Sequence, residues 1–139
     1  APASIWTAFQ LGQYLPYDIA AKADTPVRLG AYGDPGALPA TAIIDALRLS
    51  SGRSTGYTHR WRERPDLVSC CMASTDTPDE KIEATAAGWR TFTVGDDIDG
   101  AILCPASERA GKRTTCASCL LCSGARGIDR RASIYIPAH

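Results

Sequence analysis

The chain has no excess of charge of either sign and no long apolar run. Its 139 residues include 15 Lys and Arg and 15 Asp and Glu, so the formal net charge is zero. Bulk electrostatics therefore gives no argument for a nucleic acid or a membrane surface as a partner. No apolar run approaches the roughly 20 residues that a membrane-spanning helix needs. The sequence predicts a soluble protein that does not enter a membrane.

Internal repeats and low-complexity segments are also missing, which excludes solenoid and linker-like architectures. With 139 residues and 45% hydrophobic residues, the chain can bury a core of its own but has no room for a second domain. We therefore expect residues 1–139 to form a single domain.

Segments typical of strands alternate with segments typical of helices. The clearest helix start has Thr77 and Glu80 in a capping box around Pro78. Residues 67–73 are almost continuously apolar or small, as expected for a strand buried on both faces. Further strands are predicted at 27–32, 55–58, 90–94, 101–103 and 132–136, and further helices at 4–11, 17–23 and 39–49. This alternation predicts an α/β fold: a small, mostly parallel sheet with flanking helices and an irregular cysteine-rich C-terminal segment.

Four of the six cysteines lie near the C-terminus in a pattern typical of a metal centre. Cys104 precedes a proline, and Cys116, Cys119 and Cys122 follow as Cys-x2-Cys-x2-Cys. Cysteines three apart cannot easily form a strain-free disulfide, whereas a tight loop can turn all their sulfurs toward one ion or cluster. The spacing predicts a metal-binding segment at residues 104–124.

The same spacing bears on which metal is bound. Zinc sites usually gather thiolates as two separated pairs. A compact run of three cysteines with one distant Cys-Pro is more typical of a [4Fe-4S] cluster, in which each of four irons takes one thiolate. The sequence favours the cluster, and structural Zn²⁺ is the alternative. The Cys-x3-Cys-x2-Cys spacing of radical-SAM enzymes is absent, so that class has no direct support.

The cysteines also bear on the cellular compartment. Six cysteines could form disulfides in a secreted protein, and an Ala-Pro-Ala start without methionine could be a processed N-terminus. However, Cys70 and Cys71 are adjacent and cannot pair comfortably with each other, and the hydrophobic content exceeds that of disulfide-stapled mini-proteins. A reducing cytoplasm is the better prediction. Within the predicted strand 67–73, these two cysteines would point to opposite faces as small core residues.

Polar residues follow the predicted strands at the edge where parallel sheets bind ligands. Asp34, His59 and Ser74 each come at or near a strand end, and Cys104 ends a later strand. His59 is a candidate acid or base, because imidazole titrates near neutral pH. Turn chemistry alone also explains each of these residues. We expect Asp34, His59 and Ser74 to form a catalytic pocket, with the cysteine centre as one wall.

A run of basic residues surrounds the cysteines. Its positive charge would help to keep the thiols ionised, or it would simply form a solvated surface. If the metal is structural zinc, this run would instead contact nucleic acid or a host protein. The residues are Arg109, Lys112, Arg113, Arg126, Arg130 and Arg131.

Several longer motifs resemble a bacterial family. They include Val27-Arg-Leu-Gly-Ala-Tyr-Gly-Asp-Pro-Gly, Thr55-Gly-Tyr-Thr-His-Arg-Trp-Arg, Cys71-Met-Ala-Ser, Gly88-Trp-Arg-Thr-Phe, Cys104-Pro-Ala-Ser, the Thr115-Cys-x2-Cys-x2-Cys segment and Ile136-Pro-Ala-His. Together they resemble uncharacterised proteins carried by phages, plasmids and other mobile elements, over nearly the whole chain.

The resemblance implies which positions are functionally important, but it does not imply their roles. It brings with it no settled activity, and it implies that longer members carry further cysteines upstream of the part seen here. The motif positions implied by the family are Asp34, Tyr57, His59, Ser74, Cys104, Cys116, Cys119 and Cys122.

Overall fold

A single parallel sheet organises the domain. The computed structural model describes residues 2–13, 24–96, 100–127 and 129–137. Its strands are β1 (Val27–Leu29), β2 (Ser54–Thr58), β3 (Met72–Thr75), β4 (Thr91–Val94), β5 (Ala101–Leu103) and β6 (Ser133–Ile136). They lie in the order β1-β2-β3-β4-β6-β5, and every neighbouring pair is parallel. The predicted α/β class with a parallel sheet is confirmed.

The helices follow the predicted positions closely. They are α1 (Pro2–Gln10), α2 (Ala40–Leu49), α3 (Pro78–Ala86) and a short α4 (Cys116–Cys119), with 3-10 turns at Pro35–Ala37 and Pro65–Leu67. The predicted cap of α3 is present, because the Thr77 hydroxyl accepts the Glu80 N–H at 3.2 Å. The predicted helix at 17–23 lies outside the described residues. None of the described helices is long and apolar enough to cross a membrane.

The predicted strand at 67–73 is wrong over residues 67–71. Pro65 opens a 3-10 turn, and the N–H groups of Cys70 and Cys71 both donate to the Leu67 carbonyl, at 3.0 and 2.8 Å. Those amides are used within the turn, so β3 begins only at Met72. The apolar run reflects burial and not strand geometry, since a buried turn and a buried strand look alike in sequence. Cys70 and Cys71 consequently share one core cluster instead of pointing to opposite faces.

Each face of the sheet has its own core. On the first face, Ile43 of α2 and Ala84 of α3 pack with Leu29, Leu67, Cys70, Cys71, Ala73 and the indoles of Trp61 and Trp89. On the second face, Met72, Phe92 and Ile134 pack against Tyr57, Cys104, Leu121, Cys122 and Ile136. The cysteine segment therefore covers the face opposite α2 and α3.

The strand order explains this placement. From β1 to β4 the chain advances across the sheet in one direction, whereas from β5 to β6 it steps back. Because crossovers between parallel strands are right-handed, a connection that runs in the opposite direction lies on the opposite face. The segment between β5 and β6 thus lies where a crossover helix would lie. Among its described residues, the short α4 is helical and the rest is irregular.

Candidate metal centre

The four C-terminal cysteines line one cavity on the second face of the sheet. The cavity has a volume of about 180 Å³, and Cys104, Cys116, Cys119 and Cys122 all border it. The sheet supplies the opposite wall through Tyr57, Phe92, Ile134 and Ile136. Residues distant in sequence are thus brought around one mainly apolar space.

Local structure sets the position of each thiol. Cys104 directly follows β5, and its N–H donates to the Tyr135 carbonyl at 2.8 Å, which extends the pairing with β6. Thr115 caps α4 by accepting the Ser118 N–H at 3.3 Å, so Cys116 and Cys119 lie one turn apart on the same side. Leu120 then adopts a left-handed conformation (φ 52°) that turns the chain toward Cys122.

Two backbone contacts fix the end of the cysteine segment against the sheet. The Cys122 carbonyl accepts the Gly56 N–H of β2 at 3.0 Å, and the Ala125 N–H donates to the Val68 carbonyl at 2.7 Å. Between them, Gly124 (φ 77°) lies so close to the preceding loop that a Cβ would be 2.5 Å from the Val68 oxygen. The segment therefore returns to the sheet along a path that only glycine permits at this point.

The four thiols are ligands of the kind that soft metals prefer, but they surround a cavity and do not converge on one point. Among the residues that the structure describes, no group of three or more His, Cys, Asp or Glu side chains is placed to hold a metal ion. The four thiols instead border the 180 Å³ cavity, and its described lining contains no carboxylate or imidazole. Four thiolates are ligands for zinc or for an iron-sulfur cluster, not for hard cations.

The four thiols lie close enough to one another to affect the ionisation of Cys122. Burial, together with the neighbouring Cys104, Cys116 and Cys119 thiols, raises the pKa of Cys122 to about 12. A buried thiolate beside three others is disfavoured unless positive charge is brought to it. An apolar cavity with four clustered thiols is therefore a place where a metal cation would change the ionisation of the cysteines.

Arg28 supplies positive charge from the β1 side of the cavity. Its guanidinium donates to the Tyr57 hydroxyl at 2.9 Å. That hydrogen bond raises the pKa of Arg28, and the nearby Cys116 and Cys122 raise it further. Tyr57 in turn stacks on Phe92 with ring centroids 4.4 Å apart, which holds both the ring and its hydroxyl in place.

Arg90 supplies a second charge from beneath the cysteine segment. Its side chain is buried, 4% exposed, and donates to the carbonyls of Leu121 (2.6 Å), Gly124 (3.2 Å), Arg131 (3.3 Å) and Ala132 (2.7 Å). Burial lowers the pKa of Arg90, as does the neighbouring Arg131. Sequence reasoning missed this residue, although an arginine at the start of a predicted short strand was a usable signal.

The basic run that the sequence placed around the cysteines is partly engaged elsewhere. Arg109 pairs with Asp96 at 2.5 Å, Lys112 with Glu108 at 2.9 Å and Arg131 with Asp129 at 2.5 Å. Arg28 and Arg90, which lie outside that run, are close enough to the thiols to interact with them electrostatically. The tertiary structure thus provides cations near the centre that local sequence did not indicate.

Asp34 lies at the carboxyl edge of the sheet, as predicted, and holds the local backbone together. Its Oδ1 accepts the Gly36 N–H at 2.7 Å and the Thr58 hydroxyl at 2.5 Å, while Oδ2 accepts the His59 N–H at 2.8 Å. Burial would raise the pKa of Asp34, but these hydrogen bonds outweigh it and the net pKa is lowered. Asp34 therefore links the turn after β1 to the end of β2.

His59 lies between two carboxylates, whereas Ser74 lies apart. The His59 Nδ1 is 3.9 Å from Asp34 Oδ2, and Nε2 is 3.8 Å from Asp76 Oδ1. Ser74 is buried on β3, at the register position of Phe92 and on the second face. The structure thus brings Asp34, His59 and Asp76 together and does not add Ser74 to them.

None of the three predicted catalytic residues lines the cavity of the four thiols. Tyr57 of β2 borders the cavity, whereas Asp34 and His59, beyond the end of that strand, lie beside each other and Asp76 and do not border it. Asp34 and His59 are therefore a separate strand-end group, and the catalytic role of Asp34, His59 and Ser74 stays a prediction.

Comparison with known proteins adds no relative. No family model, curated protein or solved structure matches the chain. The resemblance to mobile-element proteins accordingly stays a prediction.

Proposed function

We propose that Cys104, Cys116, Cys119 and Cys122 bind one [4Fe-4S] cluster and that the protein acts as an iron-sulfur protein. The observation that carries the proposal is that all four thiols border a single cavity of about 180 Å³. They are the cysteines of the Cys-Pro and Cys-x2-Cys-x2-Cys motifs. The other two cysteines belong to the opposite core and take no part.

The arrangement of the thiols supports a cluster more than a single zinc ion. Zinc requires its four sulfurs to lie about 2.3 Å from one point. A four-iron cluster instead takes one thiolate at each iron, so its ligands stand around a body of several atoms. Thiols that border a cavity without meeting at one point fit the second requirement better.

The surroundings suit a centre that exchanges electrons or senses oxidants. Tyr57, Phe92, Ile134 and Ile136 form an apolar wall that keeps water from one side. Cys116 is exposed, so the opposite side lies near the surface. When bound, the cluster supplies one-electron redox chemistry. The residues of the chain hold the thiols, exclude water and offset negative charge through Arg28 and Arg90.

A reducing compartment and a mobile-element origin belong to the same proposal. None of the six cysteines is paired in a disulfide in the structure, which supports a reducing compartment such as the cytoplasm. A phage or plasmid origin is supported by the motif resemblance, including the positions of the four cysteines.

The test is anaerobic purification followed by spectroscopy and metal analysis. We expect a brown protein with broad absorption near about 400 nm and about four iron and four sulfide per chain. Cys116→Ser should lower the iron content, because it removes a ligand at an exposed position where serine disturbs no core packing. Cys70→Ala is the matched control and should retain the iron, since Cys70 lies in the opposite core.

A colourless protein with one equivalent of zinc would show instead that the centre is structural zinc. Retention of iron and sulfide by Cys116→Ser together with loss in Cys70→Ala would show that the assigned ligands are incorrect.

A further inference from the structure

A second cleft lies where the loop before β2 meets the end of the cysteine segment. It has a volume of about 410 Å³ and is lined by three arginines and three serines, namely Ser51, Arg53, Ser54, Ser123, Arg126 and Arg131. None of the described lining residues is acidic. The size is in the range of small-ligand sites, and the lining carries three positive charges.

Two of the arginines are held in place by the fold. Arg131 donates through Nη1 to the Ser123 hydroxyl at 2.9 Å and through Nη2 to the Gly124 carbonyl at 2.8 Å, and it pairs with Asp129. Arg126 donates to the Gly52 carbonyl at 3.3 Å and so spans the two walls of the cleft. Their guanidinium groups are therefore positioned before any ligand arrives, which lowers the entropic cost of binding.

The third arginine has its donors available. Within the described part of the chain, no hydrogen bond or ion pair engages the Arg53 guanidinium, and the residue is exposed. Asp129 and Asp24 are the carboxylates that contact lining residues, at Arg131 and at Ser51 respectively. Three guanidinium groups against these two carboxylates leave the cleft with an excess of positive charge.

We propose that this cleft binds a phosphate group, with Arg53 and Arg126 as its main ligands. A guanidinium group presents paired N–H donors that match the oxygens of a phosphate, and serine hydroxyls add further donors. The phosphate comes either from a nucleotide or from a nucleic-acid backbone. This site goes beyond the proposed cluster and does not require it, although Leu120 borders both cavities.

The position of the cleft also refines the predicted contact surface. Of the basic run that the sequence proposed for nucleic acid or a host protein, Arg126 and Arg131 line the cleft. Arg109 and Lys112 instead form ion pairs with Asp96 and Glu108. Arg53, which lies outside that run, becomes a principal ligand. The positive charge that matters is thus assembled from two distant parts of the chain.

The test is a titration of the full chain at low ionic strength, followed by NMR or calorimetry. The probes are inorganic phosphate, a nucleoside 5′-monophosphate and a single-stranded DNA oligonucleotide. We expect saturable binding of phosphate, weakened at least about tenfold by Arg53→Gln and by Arg126→Gln, because each removes a charged donor. Arg113→Gln is the matched control, since Arg113 belongs to the same basic run but does not line the cleft.

The probes also separate the two sources of phosphate. Much tighter binding of the oligonucleotide, with an affinity that falls steeply with salt, identifies a nucleic-acid backbone. Equal or tighter binding of the mononucleotide identifies a small phosphorylated ligand. Circular dichroism and metal content of each variant check that the fold and the cysteine centre are intact.

The proposal is overturned if none of the three probes shows saturable binding. It is equally overturned if Arg113→Gln weakens binding as much as Arg53→Gln, because the effect would then be general charge and not this cleft.

Discussion

At the scale of single residues, the sequence predicts the position of Asp34 in the fold but not its hydrogen-bond partners. Its place in a Gly-Asp-Pro-Gly turn after a strand is evident from the sequence. Which groups its oxygens accept is not, because the Thr58 hydroxyl and the His59 N–H come from a strand more than 20 residues away. The carboxylate has three hydrogen bonds, and these make it a structural link whatever else it does.

Asp34→Asn should therefore destabilise the protein and change its response to acid. Asparagine has one acceptor oxygen, so its NH2 group would face the N–H of either Gly36 or His59 and that hydrogen bond would be lost. We expect a loss of about 1–3 kcal/mol at neutral pH. Because the folded pKa of Asp34 lies below its ordinary value, the ionised carboxylate contributes stability above about pH 4 that is lost as the pH falls through the lowered pKa. Urea unfolding between pH 7 and pH 3 should show a smaller acid-dependent loss in the variant.

His59→Ala is the control for this prediction. The His59 side chain is 61% exposed, so its removal should change stability by no more than about 0.5 kcal/mol. An acid response of Asp34→Asn as steep as that of the parent protein would contradict the role assigned to the carboxylate.

Among the secondary-structure elements, capping residues correctly predicted a helix start, whereas an apolar run that reflects burial was not sufficient to predict a strand. Thr77, Pro78 and Glu80 correctly predicted the start of α3, because capping involves neighbours in sequence. The prediction of a strand at residues 67–71 is wrong, because burial in a turn gives the same apolar run. The positions of the other strands were predicted to within a few residues, although β1 ends three residues earlier than expected, where Gly30 takes a positive φ of 76°.

The path of the cysteine segment depends on Gly124, and substitution there gives the second prediction. Both Gly124 and Gly127 have positive φ, so alanine costs backbone strain at either position. A Cβ at Gly124 would also lie 2.5 Å from the Val68 oxygen, whereas at Gly127 nothing lies within 4 Å. We expect Gly124→Ala to lower the free energy of unfolding by about 1–3 kcal/mol more than Gly127→Ala, owing to overpacking.

Urea denaturation of the two variants in parallel measures this difference, with the conformational cost common to both. Equal losses would mean that the loop at Val68 moves aside and that the close approach has no energetic weight.

For the molecule as a whole, the sheet separates two cores of unequal size. In the described residues, nine buried side chains form the cluster on the α2 and α3 face, whereas three buried side chains form the cluster under the cysteine segment. The smaller core is completed by Cys104, Leu121 and Cys122 from that segment. The local stability of this smaller core should therefore depend on the position of the cysteine segment.

The third prediction follows from this asymmetry and rests on the proposed cluster. Removing the metal with a chelator under reducing conditions should increase amide hydrogen exchange in residues 104–125 and in β5. α2 and α3 should change much less, because their core does not include the metal ligands. Hydrogen exchange followed by mass spectrometry compares the two faces within one sample. A uniform increase across the chain would show that the domain unfolds as one unit, and no increase would show that metal does not order the segment.

By itself, the sequence determined the parallel α/β class and the grouping of Cys116, Cys119 and Cys122, because caps, turn residues and short cysteine spacings act over a few residues. Only the tertiary structure decided that the cysteine segment covers the face opposite α2 and α3, that Arg28 and Arg90 face the thiols, and that Arg53 meets Arg126 in a cleft. These contacts join residues about 30 to 70 positions apart, and their formation depends on strand order and crossover handedness, which no local pattern specifies.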